Sequence, residues 1–454
     1  GDGPPPPPPH PFFFSELISP VIDLSEAGEK LSLRFRQLVR FANPAPSAPL
    51  DEYGQPLRTS LCYSLDGGES WSPPIGLNTG LDPAVGFDPT PPLNSTVTVP
   101  LPPEVSGQSE VAFKFTWAGD LFYWALDDIE IRSRPEHDLE IKRNFAAITP
   151  NAATPRSQVE PVAFLADIQN NGADTAYGVQ LQLAIERLAT GETVFTADRP
   201  YGPLACDSLA ENQLFADLFE PTGLPAGDYR GRYSLQQDQP DALPADNELS
   251  WRFQLSDTTF SKDLGPTISL TAADNPSFTY GNAYYTPAGS GWYARYLSFA
   301  VDNAAQLAGQ TVTTLLYRWP GDLNGDFQAN PAEYGQLPVA INEYEFDGTE
   351  DTTLITLPVS GENTGIPLDD GYHYLAMVRY QSEGGQRIFP LFTTDYHYQA
   401  TWFVTDLLGQ TRYAGLLALG ASLSPDFNIA GFGFDLVPVV RLHIGTSPDL
   451  NEPA

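Results

Sequence analysis

Cysteine and methionine are almost missing. Two cysteines, Cys62 and Cys206, and one methionine stand in 454 residues. Two distant cysteines make no disulfide framework. They are expected to be separate thiols, with Cys62 inside a strand in LCYSL, rather than an interdomain bridge. Basic residues are scarce as well: 23 Lys and Arg face 57 Asp and Glu, a net charge of −34. Such a surface repels nucleic acid and anionic membranes, and it attracts divalent cations. No stretch of 18 apolar residues is present, so no membrane insertion is expected. The five histidines, His10, His137, His373, His397 and His443, show no metal-ligand spacing. HExxH, GxSxG and CxxC are all absent. Carboxylates are plentiful, but nothing singles out a glycosidase pair. No catalytic residue is assigned and no enzymatic activity is expected.

What the chain does have is 44 prolines, 38 glycines and 12% aromatics. Turn formers alternating with aromatic and β-branched runs favour many short strands. The length is too great for one core, so three domains are expected. The fold class expected is all-β: tandem antiparallel β-sandwiches. Residues 1–11, GDGPPPPPPHP, form a polyproline arm, since six prolines in a row impose the polyproline II backbone. The opening Gly-Asp-Gly-Pro carries no signal peptide and fits a mature or excised product. Residues 12–135 form the first domain, with alternation in 17–24 and 30–41. VAFKFTW (111–117) and FYWALDDIEIR (122–132) are expected to pair with each other. Residues 136–258 form a second domain whose strands and turns fit a seven-stranded sandwich. Residues 259–446 form a larger third domain with strand-like runs at 291–301, 311–321, 352–359, 372–380, 401–408 and 436–445, and 447–454 are a tail. Its aromatics, including Tyr284, Tyr285, Trp292, Tyr293, Tyr296, Tyr396, Tyr398 and Trp402, are read as core before sugar platforms.

Two motifs could carry a cation. DLNGDFQANPAE places oxygen side chains at loop positions 1, 3, 5, 9 and 12: Asp322, Asn324, Asp326, Asn330 and Glu333. Gln328 would add its carbonyl, and Ca²⁺ needs six to eight oxygens, which this set can supply. Phe327 stands where such loops have glycine, at a cost on the order of 1 kcal/mol. In ALDDIEI, alternation sends Asp127 and Asp128 to opposite faces. A carboxylate turned inward must be paired or metal-bound, so Asp127 is read as either a cation ligand or a hydrogen-bonded structural residue. Asp238, Asp241 and Asp246 share one acidic loop, read as a solvated turn.

The SP-hydrophobic-DL opening, the SLDGGESW hairpin (64–71) and the FYWALDDI ending together resemble MAM-like jelly-roll modules. SLDGGESW is also similar to the Asp-box of sialidase propellers, but it occurs once. DIQNNG, LPAGDY and ADNE resemble CARDB-like, immunoglobulin-type modules. The 322–333 loop is similar to dockerin loops. The stretch around GNAYYTPAGSGWYARYLSFAV is similar to a domain found before the sorting domain of type IX-secreted Bacteroidetes proteins. These resemblances imply an extracellular or cell-surface protein and a jelly roll, Ig-like sandwich and larger jelly roll in series. The Asp-Thr/Ser triplets resemble the O-glycosylation pattern of exported Bacteroidetes proteins, which implies Thr175, Ser208, Thr258 and Thr352 as acceptors.

The function expected is a non-enzymatic structural or adhesive surface protein, assembling with itself into a filament or layer and contacting glycans or a cell surface. Pro4 to Pro9 and the following Phe12, Phe13 and Phe14 are the expected assembly arm. Three successive aromatics cannot all face one core if they lie in a strand. The alternative is the substrate- or carbohydrate-binding accessory region of a secreted hydrolase.

Overall fold

The computed structural model describes residues 13–28, 30–41, 58–78, 93–119, 123–271, 277–326, 328–350, 354–382, 385–394, 408, 413, 415–429 and 436–451. Pro4, Pro9, Phe12, the Phe13 side chain, Phe327, Thr352, Tyr396, Tyr398 and Trp402 lie outside what is described. The chain divides into two compact units, residues 1–136 with 171–173, and residues 137–170 with 174–454. Among the described residues the regular structure is nearly all strand, with a single four-residue helix, so the protein is all-β.

In the first unit the strands are β1 (Phe13–Ile18), β2 (Leu31–Arg40), β3 (Thr59–Ser64), β4 (Ile75–Leu77), β5 (Leu93–Pro100), β6 (Ala112–Gly119) and β7 (Tyr123–Ser133). They form two sheets, in the orders β1-β6-β3-β4 and β5-β2-β7. Alternation along β2 turns Leu31, Leu33 and Phe35 inward, where they meet Phe113 and Phe115 of the other sheet. Phe35, Phe115 and Trp124 form a mutual edge-on cluster with centroids 5.4–6.3 Å apart. Gln37, buried among them, accepts the Trp124 indole N–H at 2.8 Å and donates to Asn78 at 2.6 Å. The expected pairing of 111–117 with 122–132 does not occur. β6 pairs with β1 and β3, and β7 pairs with β2. Both segments turn an apolar face to the core, and they meet across it rather than edge to edge.

The second unit holds two layered regions. The first has β8 (Leu139–Ala146), β9 (Ala153–Pro155), β10 (Leu165–Asn170), β11 (Gln180–Arg187), β12 (Glu192–Pro200), β13 (Leu209–Leu214), β14 (Gly227–Gln236) and β15 (Glu248–Ser256). Sheets β13-β10-β8 and β12-β11-β14-β15-β9 enclose one core, so eight strands stand where seven were expected. Tyr233 and Trp251 fill it. Gly231 lies opposite Trp251 because a Cβ there would sit 2.2 Å from the indole.

The second region follows without a break: β16 (Thr259–Phe260), β17 (Ile268–Ser269), β18 (Phe278–Thr286), β19 (Tyr293–Phe299), β20 (Thr311–Trp319), β21 (Gln328–Ala329), α1 (Pro331–Tyr334), β22 (Ala340–Glu345), β23 (Ile355–Pro358), β24 (Ile366–Pro367), β25 (Tyr372–Tyr380), β26 (Leu391–Thr393), β27 (Gly415–Leu419), β28 (Phe427–Asn428), β29 (Val437–Pro438) and β30 (Val440–Gly445). Its seven-stranded sheet runs β21-β28-β27-β18-β25-β20-β22. The central strands β18, β25 and β20 are buried along nearly every residue, as expected of strands covered on both faces. One face packs on β19 and β30. The other carries Tyr317, Trp319, Tyr334 and Phe427. Tyr284 is fully buried, while Trp292, Tyr293 and Tyr296 are half-buried.

Candidate functional site

The first unit is open along one side. Strands β1 and β7 are the end strands of their sheets, and among the described residues neither has a second ladder partner. Between them lies a cleft of about 360 Å³, walled by Leu17, Ile18, Ile22 and Ile129 to Ile131 and floored by Leu33, Phe113 and Phe115. That volume is in the range of ligand-binding clefts. Leu17 and Ile18 point to opposite faces of β1, yet they are 53% and 51% exposed, and Ile129 is 44% exposed. A strand in a closed sandwich hides one face, so β1 is a strand whose inner face is uncovered. Phe14 and Val21 extend the exposed apolar surface. Glu130 is the only acid in the lining, and Arg34 lies 3.7 Å from its carboxylate, with Arg132 closer.

Asp127 and Asp128 lie on β7 but are both exposed, so the inward carboxylate expected from alternation is absent. A register shift between Arg34 and Arg36 and a left-handed Asp128 (φ 50°) break the alternation there. Asp127 accepts the Asp128 N–H at 2.9 Å, and Asp128 lies 3.8 Å from Arg36.

The 322–333 loop follows β20 and ends in α1, a single turn of four residues capped by Asn330 and Glu333. No longer helix flanks it. Its oxygens hold the loop's own backbone. Asp322 accepts from Gly325 N–H at 2.7 Å, Asn324 from Asp326 N–H at 3.1 Å, and Asp326 from Gln328 N–H at 2.9 Å. Glu333 accepts the Trp319 indole N–H and the Leu323 N–H, both at 2.8 Å. Among the described residues of the loop, Gly325 is left-handed (φ 71°).

Among the described residues, one set of three acidic, His or Cys side chains has its donor atoms all within 4.8 Å: Asp138, Asp241 and Asp246. Asp322, Asp326 and Glu333 are not gathered this closely. Asp241 accepts from Leu139 N–H and Gln237, at 2.7 and 3.0 Å. Burial, then Glu140, Asp138 and Asp241, push the Asp246 carboxyl up to about 7. Sequence reasoning had grouped Asp241 and Asp246 with Asp238. Asp138 sits about a hundred residues earlier and had no local signal.

A cavity of about 50 Å³ lies in the second unit, lined by Gln158, Lys262, Tyr285, His373 and Tyr413 among others. Neither ring nitrogen of His373 has a hydrogen-bond partner, and burial pushes its pKa down to about 3. The space fits a few water molecules. Of the expected glycan acceptors, Thr175, Ser208 and Thr258 are part-exposed beside turns, and the Ser208 hydroxyl donates to Ala205 O at 2.6 Å. Cys62 is buried and Cys206 exposed, both as free thiols. No helix among the described residues is long and apolar enough to cross a membrane. Neither a known protein family nor any curated protein sequence matches this chain.

Proposed function

We propose that the chain is a non-enzymatic structural or adhesive protein of the cell exterior that associates with further copies of itself into a filament or layer. The observation that carries this reading is the open side of the first unit. Two strand edges with no second ladder partner among the described residues, beside an exposed apolar cleft, are features that monomeric proteins normally protect. The strongly acidic remainder of the chain supports it: self-repulsion discourages random clumping and leaves association to specific contacts. Export by a type IX route, with O-linked sugar on Thr175, Ser208, Thr258 or Thr352, belongs to the same reading. An intact mass equal to the bare polypeptide would count against the sugar.

Ca²⁺ in the 322–333 loop also belongs here, with Asp322, Asn324, Asp326, Gln328, Asn330 and Glu333 as its oxygen donors. The support is the spacing of oxygen-bearing side chains at loop positions 1, 3, 5, 9 and 12. Ca²⁺ should then raise the melting temperature, and Asp326→Ala should remove that gain. A melting temperature indifferent to chelator would contradict it. The reading as a whole is tested by sedimentation velocity of the full chain over a wide concentration range. Concentration-dependent growth is expected, and a monomer at every concentration would overturn it.

A further inference from the structure

We propose that residues 1–12 of one copy occupy the cleft between β1 and β7 of the next, so that copies add head to tail. This inference rests on the self-associating function proposed above and names its contact. The cleft specifies the form of its occupant. The edges of β1 and β7, which have no second ladder partner among the described residues, flank it on two sides of an apolar floor. A polyproline segment covers the apolar floor and offers its carbonyls to edge N–H groups, and grooves with aromatic side chains such as Phe113 and Phe115 bind segments of this kind. Proline carbonyls accept hydrogen bonds freely because the chain has no competing N–H of its own at those residues.

Two observations favour the arm of a neighbour. The first is direction. β1 begins at Phe13, opposite Gly119, whereas the cleft runs along 17–22, past the other end of the strand. An arm entering its own cleft would have to reverse beside Phe13. Pro4 to Pro9 allow no turn, because a proline run is stiff over several residues. The reversal would fall entirely on His10, Pro11 and Phe12. Twelve residues at about 3.1 Å each reach roughly 37 Å, ample for a neighbouring molecule. The second observation is charge. Any segment that docks on another copy approaches a molecule of net charge −34. Residues 1–12 contain one carboxylate, Asp2, and the one acid of the cleft, Glu130, is offset by Arg34 and Arg132. Docking therefore joins an arm with a single carboxylate, at Asp2, to a nearly neutral cleft. Arm and cleft are different surfaces, so the contact is heterologous and generates an open chain unless a ring closes.

Complementary variants test this. One lacks residues 1–12, which precede the first strand. The other keeps the arm and carries Ile129→Lys, with Leu17→Lys as a second blocking variant. Both positions are about half exposed, so folding should survive, and unchanged melting verifies it. Sedimentation should show each variant alone as a 49 kDa-class monomer, near the 49.5 kDa of the full chain. A mixture of the arm-less protein with the Ile129→Lys protein should give a one-to-one pair that grows no further, since one supplies the cleft and the other the arm. If the full chain polymerises but the arm-less protein polymerises equally, or the mixture stays monomeric, the arm-in-cleft contact is wrong and self-association stands. If the full chain itself never associates and the mixture does not pair, the functional reading falls with it.

Discussion

Asp263 and Arg441 allow the most quantitative test of how the second unit is held together. The Asp263 side chain is 0% exposed and that of Arg441 24%. Arg441 Nε lies 3.2 and 3.1 Å from the two carboxylate oxygens, and Nη2 donates to Oδ1 as well. Ser261 donates its hydroxyl to the same carboxylate at 2.6 Å. Asp263 lies just after β16, and Arg441 is on β30. Asp263→Ala would leave the guanidinium largely buried without its counter-charge. Breaking a buried pair on one side costs about 3–5 kcal/mol. The partial exposure of Arg441 lets water reach it and places the expected loss near 3 kcal/mol. Urea denaturation at pH 7 measures this directly. The double replacement Asp263→Leu with Arg441→Met should recover most of the loss, because replacing both charges by apolar groups of similar size is often neutral. A loss under 1 kcal/mol for Asp263→Ala, or no recovery in the double variant, would refute the reasoning.

Acid should weaken the second unit through two buried imidazoles. Burial lowers His373 to about 3; burial and then Arg441 lower His443 to about 4, against 6.5 for the free side chain. Their folded pKa values lie below the unfolded one, so their stabilisation is complete above about pH 6.5 and is lost as pH falls toward 4. Asp167 and Asp246, raised to about 6 and 7, act in the opposite direction. The test is therefore the difference between the wild type and a His373→Gln/His443→Gln variant at pH 7.5 and 5. The wild type should lose on the order of 2 kcal/mol more per histidine over that interval, and equal losses would contradict it. Gly281→Ala should destabilise by about 3 kcal/mol, because the new Cβ would lie 2.0 Å from Ala376 O on the paired strand, and a backbone carbonyl cannot yield. A change below 1 kcal/mol in chemical denaturation would contradict that.

Local features were legible in the sequence because local chemistry decides them. SLDGGESW reads as a turn and is one. Gly67 and Gly68 take φ of 72° and 98°, and Asp66 accepts hydrogen bonds from the Ser70 backbone and from the Ser64 and Ser70 hydroxyls. The alternating and continuous apolar runs became β2, β19, β20 and β25 at nearly the expected positions. Pairing was less legible. Alternation tells which face of a strand is apolar but not which edge it shares, so β6 and β7 were joined as neighbours when they belong to opposite sheets. Asp127 was expected inward because alternation was carried through Asp128, where a left-handed residue interrupts it. The cleft was invisible for a related reason. Leu17, Ile18 and Ile129 have ordinary core composition, and only the sheet order reveals that their faces are uncovered. The Asp138, Asp241 and Asp246 cluster depends on a contact between β8 and the loop before β15, and no window of sequence contains both.

The central claim is that the side of the first unit between β1 and β7 is where copies meet. Amide hydrogen exchange of the full chain at low and high protein concentration tests it most directly. Residues 17–22 and 129–131 should gain protection as concentration rises, while the hairpin at 64–71 exchanges at the same rate throughout. Assembly without any added protection along those two edges would contradict the account.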